Sequence, residues 1–317
     1  MSKVHNLIIL GSGPAGYSAA IYAQRAGINP LLISGFEVGG QLMQTTHVEN
    51  YPGFDNILGP KLMENMKNQV DNLKVITKLD YITKSNLHTY PYELVGQNET
   101  YLTKSLIIAT GSSARWLGCV GEDTFKGFGV SACATCDGFF FKNQSVAVIG
   151  GGNSAIEEAL YLSGIAKVVY VIHRRDKLRG EKIMQERLFT KPNIKIIFNT
   201  IVEEMQGEIS PQKNLKNLIL KNVIDGSTTQ LAIDGAFVAI GHNPNTSFLQ
   251  NQIDLDSDGY IMLNSTSTNV MQNGKILAGV FSCGDVSDKI YKQAITSAGS
   301  GCKSALDANH YLSTLTI

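Results

Sequence analysis

His5-Asn6-Leu7-Ile8-Ile9-Leu10-Gly11-Ser12-Gly13-Pro14-Ala15-Gly16 is the stretch that decides the fold. An apolar run of strand length stops at a G-x-G-x-x-G. Small residues then predict a helix over 17–26, and a second apolar run predicts a strand over 31–34. That order is one βαβ unit. Its glycines allow a tight turn and let a pyrophosphate approach the helix N-terminus, against the plainer reading of a structural turn. The acid that bonds the ribose in such units is not at the strand end, where Ser34-Gly35 stand. Glu37 lies just beyond, so the ribose is expected to be held from a loop, with Gly39-Gly40-Gln41 extending the cradle. The competing reading of Glu37 is a solvated loop charge.

The pattern returns at 145–149, followed by Gly150-Gly151-Gly152-Asn153-Ser154-Ala155, a helix over 156–163 and a strand over 167–172. Each unit closes with a late strand, 106–111 in the first and 237–241 in the second, which reads as an internal duplication. After Pro244 come a strand over 279–283, Gly284-Asp285 and a long small-residue helix to about residue 311, with no glycine loop of their own. Such a fragment most simply completes the first domain. The expected fold is therefore α/β: two Rossmann-like dinucleotide-binding domains of the three-layer ββα type, the second inserted into the first. The boundaries are 1–115 and 246–317 for one domain and 116–245 for the other, with hinges near 115 and 245.

A chain of 317 residues has material for two such domains. Its charge is balanced, Lys+Arg 27 against Asp+Glu 27, with 43% hydrophobic and 17% charged residues. This argues against a disordered tail or a basic nucleic-acid footprint. The apolar runs fall far short of the ~20 residues needed to cross a bilayer. Met1-Ser2-Lys3-Val4-His5 leads directly into the first strand without the features of a leader, so no membrane association and a cytoplasmic location are expected. Five cysteines are too few, and odd in number, for a secreted disulfide framework.

The chemistry is concentrated in two places. The second loop, G-x-G-x-x-A at Gly150, Gly152 and Ala155, is followed by His173-Arg174-Arg175 and Arg179, where an NAD site would carry a carboxylate. Guanidinium groups pair with a 2′-phosphate that an acid would repel, so NADPH is expected; the alternative is a solvated basic turn. Cys133-Ala134-Thr135-Cys136-Asp137 holds a C-x-x-C, which can close a small reversible disulfide. Zinc would need two further ligands, and neither a second C-x-x-C nor an i, i+4 histidine pair is present, so no metal is expected. Asp137 is read as a proton donor or acceptor for the thiols, or else as an acid at a helix start. Asp285 suits a carboxylate accepting hydrogen bonds from a cofactor hydroxyl, with an ordinary turn as the alternative. Cys119, Cys283 and Cys302 receive no role, and Phe139 to Phe141 are read as core.

Together with Glu49-Asn50, Ser131-Ala132 and Gln293-Ala294-Ile295-Thr296, these stretches make the chain resemble the low-molecular-weight thioredoxin reductases, class II pyridine nucleotide-disulfide oxidoreductases, over nearly its whole length. The resemblance implies FAD in the first domain, held by Gly11, Ser12, Gly13, Pro14 and Ala15, then by Ser34, Gly35, Glu37, Gly40 and Gln41. Asn50, Thr110 and Gly111 would follow, with Gly284, Asp285, Lys292, Gln293 and Ala294 from the C-terminal segment. It implies NADPH in the second domain, at Gly152, Asn153, Ser154 and Glu157, at His173, Arg174, Arg175 and Arg179, and at Ile240 and Gly241. Cys136 would face the flavin, Cys133 would attack the partner and Asp137 would handle the proton. The implied partner is the small disulfide protein thioredoxin, and the implied assembly a homodimer. Phe128 and Lys292 stand where the family often has Arg, and Cys283 where Ala or Gly is usual.

Overall fold

The apolar run that opens the sequence becomes β1 (Val4–Leu10), in the interior of a largely parallel sheet with Leu7 to Leu10 buried. A strand covered on both faces has no exposed side to alternate with, hence the unbroken run. The structure is a computed structural model and describes residues 3–44 and 47–315. Met1 and Ser2 of the N-terminal stretch discussed above lie outside them. After β1 come α1 (Pro14–Arg25), β2 (Leu31–Ile33), β3 (Ile76–Lys78) and β4 (Thr100–Ile108). The order then repeats with β5 (Ser145–Ile149), α2 (Asn153–Ser163), β6 (Val168–Ile172), β7 (Ile194–Ile197) and β8 (Gly235–Val238). β9 (Lys275–Ser282) and α3 (Ala294–Thr314) close the chain.

The chain divides into two units, residues 1–113 with 243–317 and residues 114–242. In the first, β9-β4-β1-β2-β3 run parallel in that order. One face carries α1 and α3 over a core that includes Tyr17, Ala20, Ile107 and Ala305. The other face is closed by a second core that includes Leu94, Phe248 and Val270. Helix α3 can approach α1 because Gly301 faces its backbone; a Cβ there would overlap the Ala15 carbonyl. In the second unit Val130–Ser131, β8, β5, β6 and β7 form an all-parallel sheet. Helices cover one face. An antiparallel sheet of Thr200–Glu208, Asn214–Asn222 and Thr228–Ala232 covers the other, and gives the three layers.

Several element ends differ from the sequence-based expectation. Both loop helices start three residues earlier, α1 at Pro14 and α2 at Asn153, because each glycine loop serves as the helix cap. Pro14, at the first helical position, lacks only an N–H that would have no helical partner. The late strands stop at Ile108 and Val238, short of Gly111 and Gly241, whose positive φ values of 69° and 104° leave the extended region. Phe139 and Phe140 are not core: they are 58% and 38% exposed, and Phe141 alone of the three packs inward, edge-on to Phe237.

Candidate functional site

The first glycine loop is built for close approach. A Cβ on Gly11 would overlap the Ala109 carbonyl and one on Gly16 the Gly11 carbonyl, whereas Gly13 faces open space. Gly13 caps α1 without a side-chain hydrogen bond, leaving first-turn N–H groups for an anion. Buried Ser12 ties in the next strand and loop, donating to the Ser34 carbonyl at 2.9 Å and accepting from the Gly39 N–H at 3.1 Å. Gly40 then lies against Gly13; a Cβ on it would sit 3.3 Å from the Gly13 Cα. Gln41 donates its side-chain amide to the Ser112 carbonyl, and the buried Ser112 hydroxyl has no hydrogen-bond partner.

The C-terminal segment adds a second wall within the same unit. Asn50 donates to the Gln293 side chain at 3.2 Å, and Gln293 with Thr296 forms the capping box of α3. Ser297 donates to the Asp285 carboxylate at 2.9 Å. Burial pushes Asp285 up to about 6, with the Ser297 hydrogen bond opposing. Asn245 accepts from the Thr110 hydroxyl at 2.8 Å and donates to the Gly111 carbonyl at 3.0 Å. Lys292, at φ 49°, lies over the Tyr260 ring. Cys283 is fully buried and its thiol is pushed up to about 12 by desolvation. The structure thus gathers Ser12, Ser34, Gly40 and Gln41 at the first loop, and Asn50, Asp285 and Gln293 around the start of α3. Glu37 is an exposed loop side chain.

In the second unit the loop rests on a histidine. A Cβ on Gly150 would overlap the Ala239 carbonyl, and one on Gly151 would overlap the His173 ring. Gly152 faces open space and caps α2 without a side-chain bond. His173 is 4% exposed, its Nε2 has no hydrogen-bond partner, and burial, with the positive charges of Arg179, Arg175 and Arg174, lowers its pKa. Arg174, Arg175 and Arg179 themselves are exposed. The Arg179 N–H reaches the Gly151 carbonyl at 2.6 Å, bringing the arginine segment to the loop. Asn153, Ser154 and Glu157 are exposed on the first turns of α2, and Ile240 is 37% exposed past β8.

Cys133 and Cys136 form a disulfide, their Cα atoms 5.3 Å apart, across the short helix Ala134–Asp137. The Ser131 hydroxyl accepts the Cys133 N–H at 3.0 Å. Asp137 is half-buried, with one carboxylate oxygen inaccessible and without a hydrogen-bond partner; desolvation pushes its pKa up, against a hydrogen bond from Ser131. A carboxyl whose pKa is raised, next in the chain to Cys136, suits proton exchange with a thiol. Sequence reading did not single out Ser112, Ser297 or Asn245. Their roles come from contacts with residues far along the chain, and nothing local signals them.

The fit to two dinucleotides is physical: open helix N-termini, glycines where backbone must approach, and buried polar atoms lacking protein partners. The family model for pyridine nucleotide-disulphide oxidoreductases matches residues 5–301. A thioredoxin reductase of Coxiella burnetii is 49% identical over 321 residues, spanning 98% of this chain and 97% of that one. A Pseudomonas fluorescens protein named glucosaminate ammonia-lyase is 48% identical over 319 residues, spanning 98% and 96%. Among solved structures, thioredoxin reductase from Giardia duodenalis has a TM-score of 0.91 at 39% identity, spanning 98% and 100%.

Proposed function

The chain belongs to the pyridine nucleotide-disulphide oxidoreductase family, and on that premise we infer that it reduces the disulfide of thioredoxin with electrons from NADPH, through FAD. The observation that carries this is the Cys133–Cys136 disulfide, built into the same unit as the second glycine loop and its arginines. An ammonia-lyase passes no electron pair to an acceptor and has no use for such a disulfide, so the name of the Pseudomonas relative is the weaker guide.

NADPH supplies a hydride, and FAD turns it into an electron pair that a disulfide can accept. Residues 1–115 and 246–317 are read as the FAD domain, supported by the Ser12, Gln41 and Asp285 contacts. Residues 116–245 are read as the NADPH domain, supported by the arginines beside its loop. Two electrons break the Cys133–Cys136 bond. The Cys133 thiolate attacks one sulfur of the thioredoxin disulfide and expels the other, which takes a proton. Cys136 then attacks Cys133, restores the internal disulfide and releases the thioredoxin dithiol. Asp137 holds the proton that accompanies these steps. The assignment of attacking and internal cysteine follows the family resemblance.

The nucleotide and the disulfide share one domain but must both reach one flavin, so the domain takes two orientations in turn, pivoting where the chain crosses near 115 and 245. A homodimer and a cytoplasmic location belong to the same reading. Tyr22, Ile295 and Leu306, exposed apolar side chains on α1 and α3, support a face for a second copy. The test is turnover with NADPH, thioredoxin and a chromogenic disulfide, with ammonia release from glucosaminate measured in parallel. Thioredoxin-dependent turnover is expected in the native chain. It should vanish in Cys136→Ser and in a chain cross-linked across the pivots, both still yellow with FAD. Full turnover in either one, or ammonia release without thioredoxin reduction, refutes the corresponding part of the reading.

A further inference from the structure

Arg179 is carried by a loop that is fastened at every residue from 178 to 181. The Leu178 side chain is buried in the core of the second unit. The Arg179 N–H donates to the Gly151 carbonyl of the second glycine loop at 2.6 Å. Gly180 lies against α2, where a Cβ would overlap the Ile156 Cδ1 and come within 3.0 Å of the Asn153 Oδ1. That same oxygen accepts the Glu181 N–H at 2.8 Å. Arg179 itself is exposed.

A further side chain closes the loop from the other end. The helix Lys182–Phe189 begins directly after it, capped by Glu181, and the half-buried Gln185 is the fourth helical residue. Helical side chains lean toward the N-terminus, so a residue in this position reaches back over the helix start. The Gln185 Nε2 donates to the Gly180 carbonyl at 2.6 Å and, more weakly, to the Leu178 carbonyl at 3.5 Å. Both carbonyls precede the cap and lie outside the helical hydrogen-bond ladder. They stand on either side of Arg179, so one amide ties both of its neighbours to the helix.

A guanidinium selects a phosphate best when its backbone is already in place, because ordering a loose loop on binding weakens the complex. We propose that Gln185 is a positioning residue for coenzyme selection: by bracketing Arg179 it fixes the backbone of that side chain beside the second glycine loop before the nucleotide arrives, and so favours NADPH over NADH. Gln185 acts through Arg179 and not through a contact of its own. The proposal rests on the reading of the second unit as the NADPH domain, with its arginines as the 2′-phosphate site. Gly151 and Asn153 hold the loop from the pyrophosphate side, where a substitution would disturb both coenzymes. Gln185 lies outside that loop and is uncharged, so it can be changed without removing a charge from the site.

Gln185→Met keeps the length of the side chain and a good helix former, and removes the donor. Loss of one such hydrogen bond corresponds to about a three- to tenfold change in an equilibrium constant. The dissociation constant of NADP+ from the oxidised holoenzyme, read by calorimetry, should rise by that factor, and the NADPH KM for flavin reduction with it. The NAD+ dissociation constant, the NADH KM and the limiting rate of flavin reduction at saturating NADPH should not change. In an Arg179→Ala background, where that guanidinium is no longer there to position, Gln185→Met should cause no further loss of NADP+ affinity. A merely structural role would lower the melting temperature and weaken both nucleotides alike. Native NADP+ affinity in Gln185→Met, equal losses for NADP+ and NAD+, or the full additional loss in the Arg179→Ala background overturns the proposal. A native chain that binds NAD+ as tightly as NADP+ would overturn the underlying 2′-phosphate reading instead, and the two failures are distinct.

Discussion

Gly151→Ala tests whether the second loop is set in place by His173. The added Cβ would lie 2.7 Å from the His173 Cγ and closer still to two other ring atoms. Carbon–carbon contact needs about 3.5–4.0 Å, so one partner must give by about 1 Å. The ring has little room, being 4% exposed and hydrogen-bonded to the Lys177 backbone. The loop is restrained as well, through the 2.6 Å bond from the Arg179 N–H to the Gly151 carbonyl. Overpacking of this kind costs about 1–3 kcal/mol. The displaced loop should also lose at least about 1.4 kcal/mol of nucleotide binding, a tenfold rise in the NADPH KM. Stopped-flow reduction of the bound flavin by NADPH reads this directly, and flavin content should not change, because the substitution lies outside the unit of residues 1–113 and 243–317, which we propose holds FAD. In the double variant with His173→Ala the clash is gone, and the two changes should couple by about 0.5–3 kcal/mol. A Gly151→Ala chain with native NADPH KM and native melting temperature, or strictly additive effects in the double variant, would refute the reasoning.

Two further outcomes follow from the charges. Arg174→Ala with Arg175→Ala should raise the NADPH KM by about 100-fold or more, since two charge-assisted bonds at about 1.5–3 kcal/mol each sum to at least about 3 kcal/mol, and should leave the NADH KM nearly unchanged. Equal effects on both nucleotides would remove the 2′-phosphate assignment. Asp285 carries the pH prediction, because burial raises its folded-state pKa to about 6. In the flavin-stripped chain, between about pH 4 and 6, the folded state keeps a proton that the unfolded state has released, so stability falls as pH rises through that window. Asp285→Asn should remove that slope, on the order of 3 kcal/mol across the window. Parallel stability–pH curves for native and variant chains would show that Asp285 does not titrate this way.

The chemistry-bearing signals in the sequence are short. Gly11 to Gly16, Gly150 to Ala155, the C-x-x-C at Cys133 and the run His173-Arg174-Arg175 each lie within a few residues, and each follows a strand whose burial on both faces writes a continuous apolar run. Such features report turn geometry and local charge, which depend on near neighbours, so two dinucleotide units and a redox disulfide were legible before any coordinates. What the tertiary structure decided is contact across long sequence distances. Asn50 meets Gln293, Gln41 meets the Ser112 carbonyl and Gly301 meets Ala15, because sheet register and helix packing bring them together. Register also puts Phe36 against Tyr81 and lets Asp80 draw on Tyr101, Gln97 and Asn98. The exposure of Phe139 and Phe140 and the burial of His173 had the same origin. An aromatic run or a histidine carries no local mark of which face will be covered, and that choice belongs to the packing of whole elements.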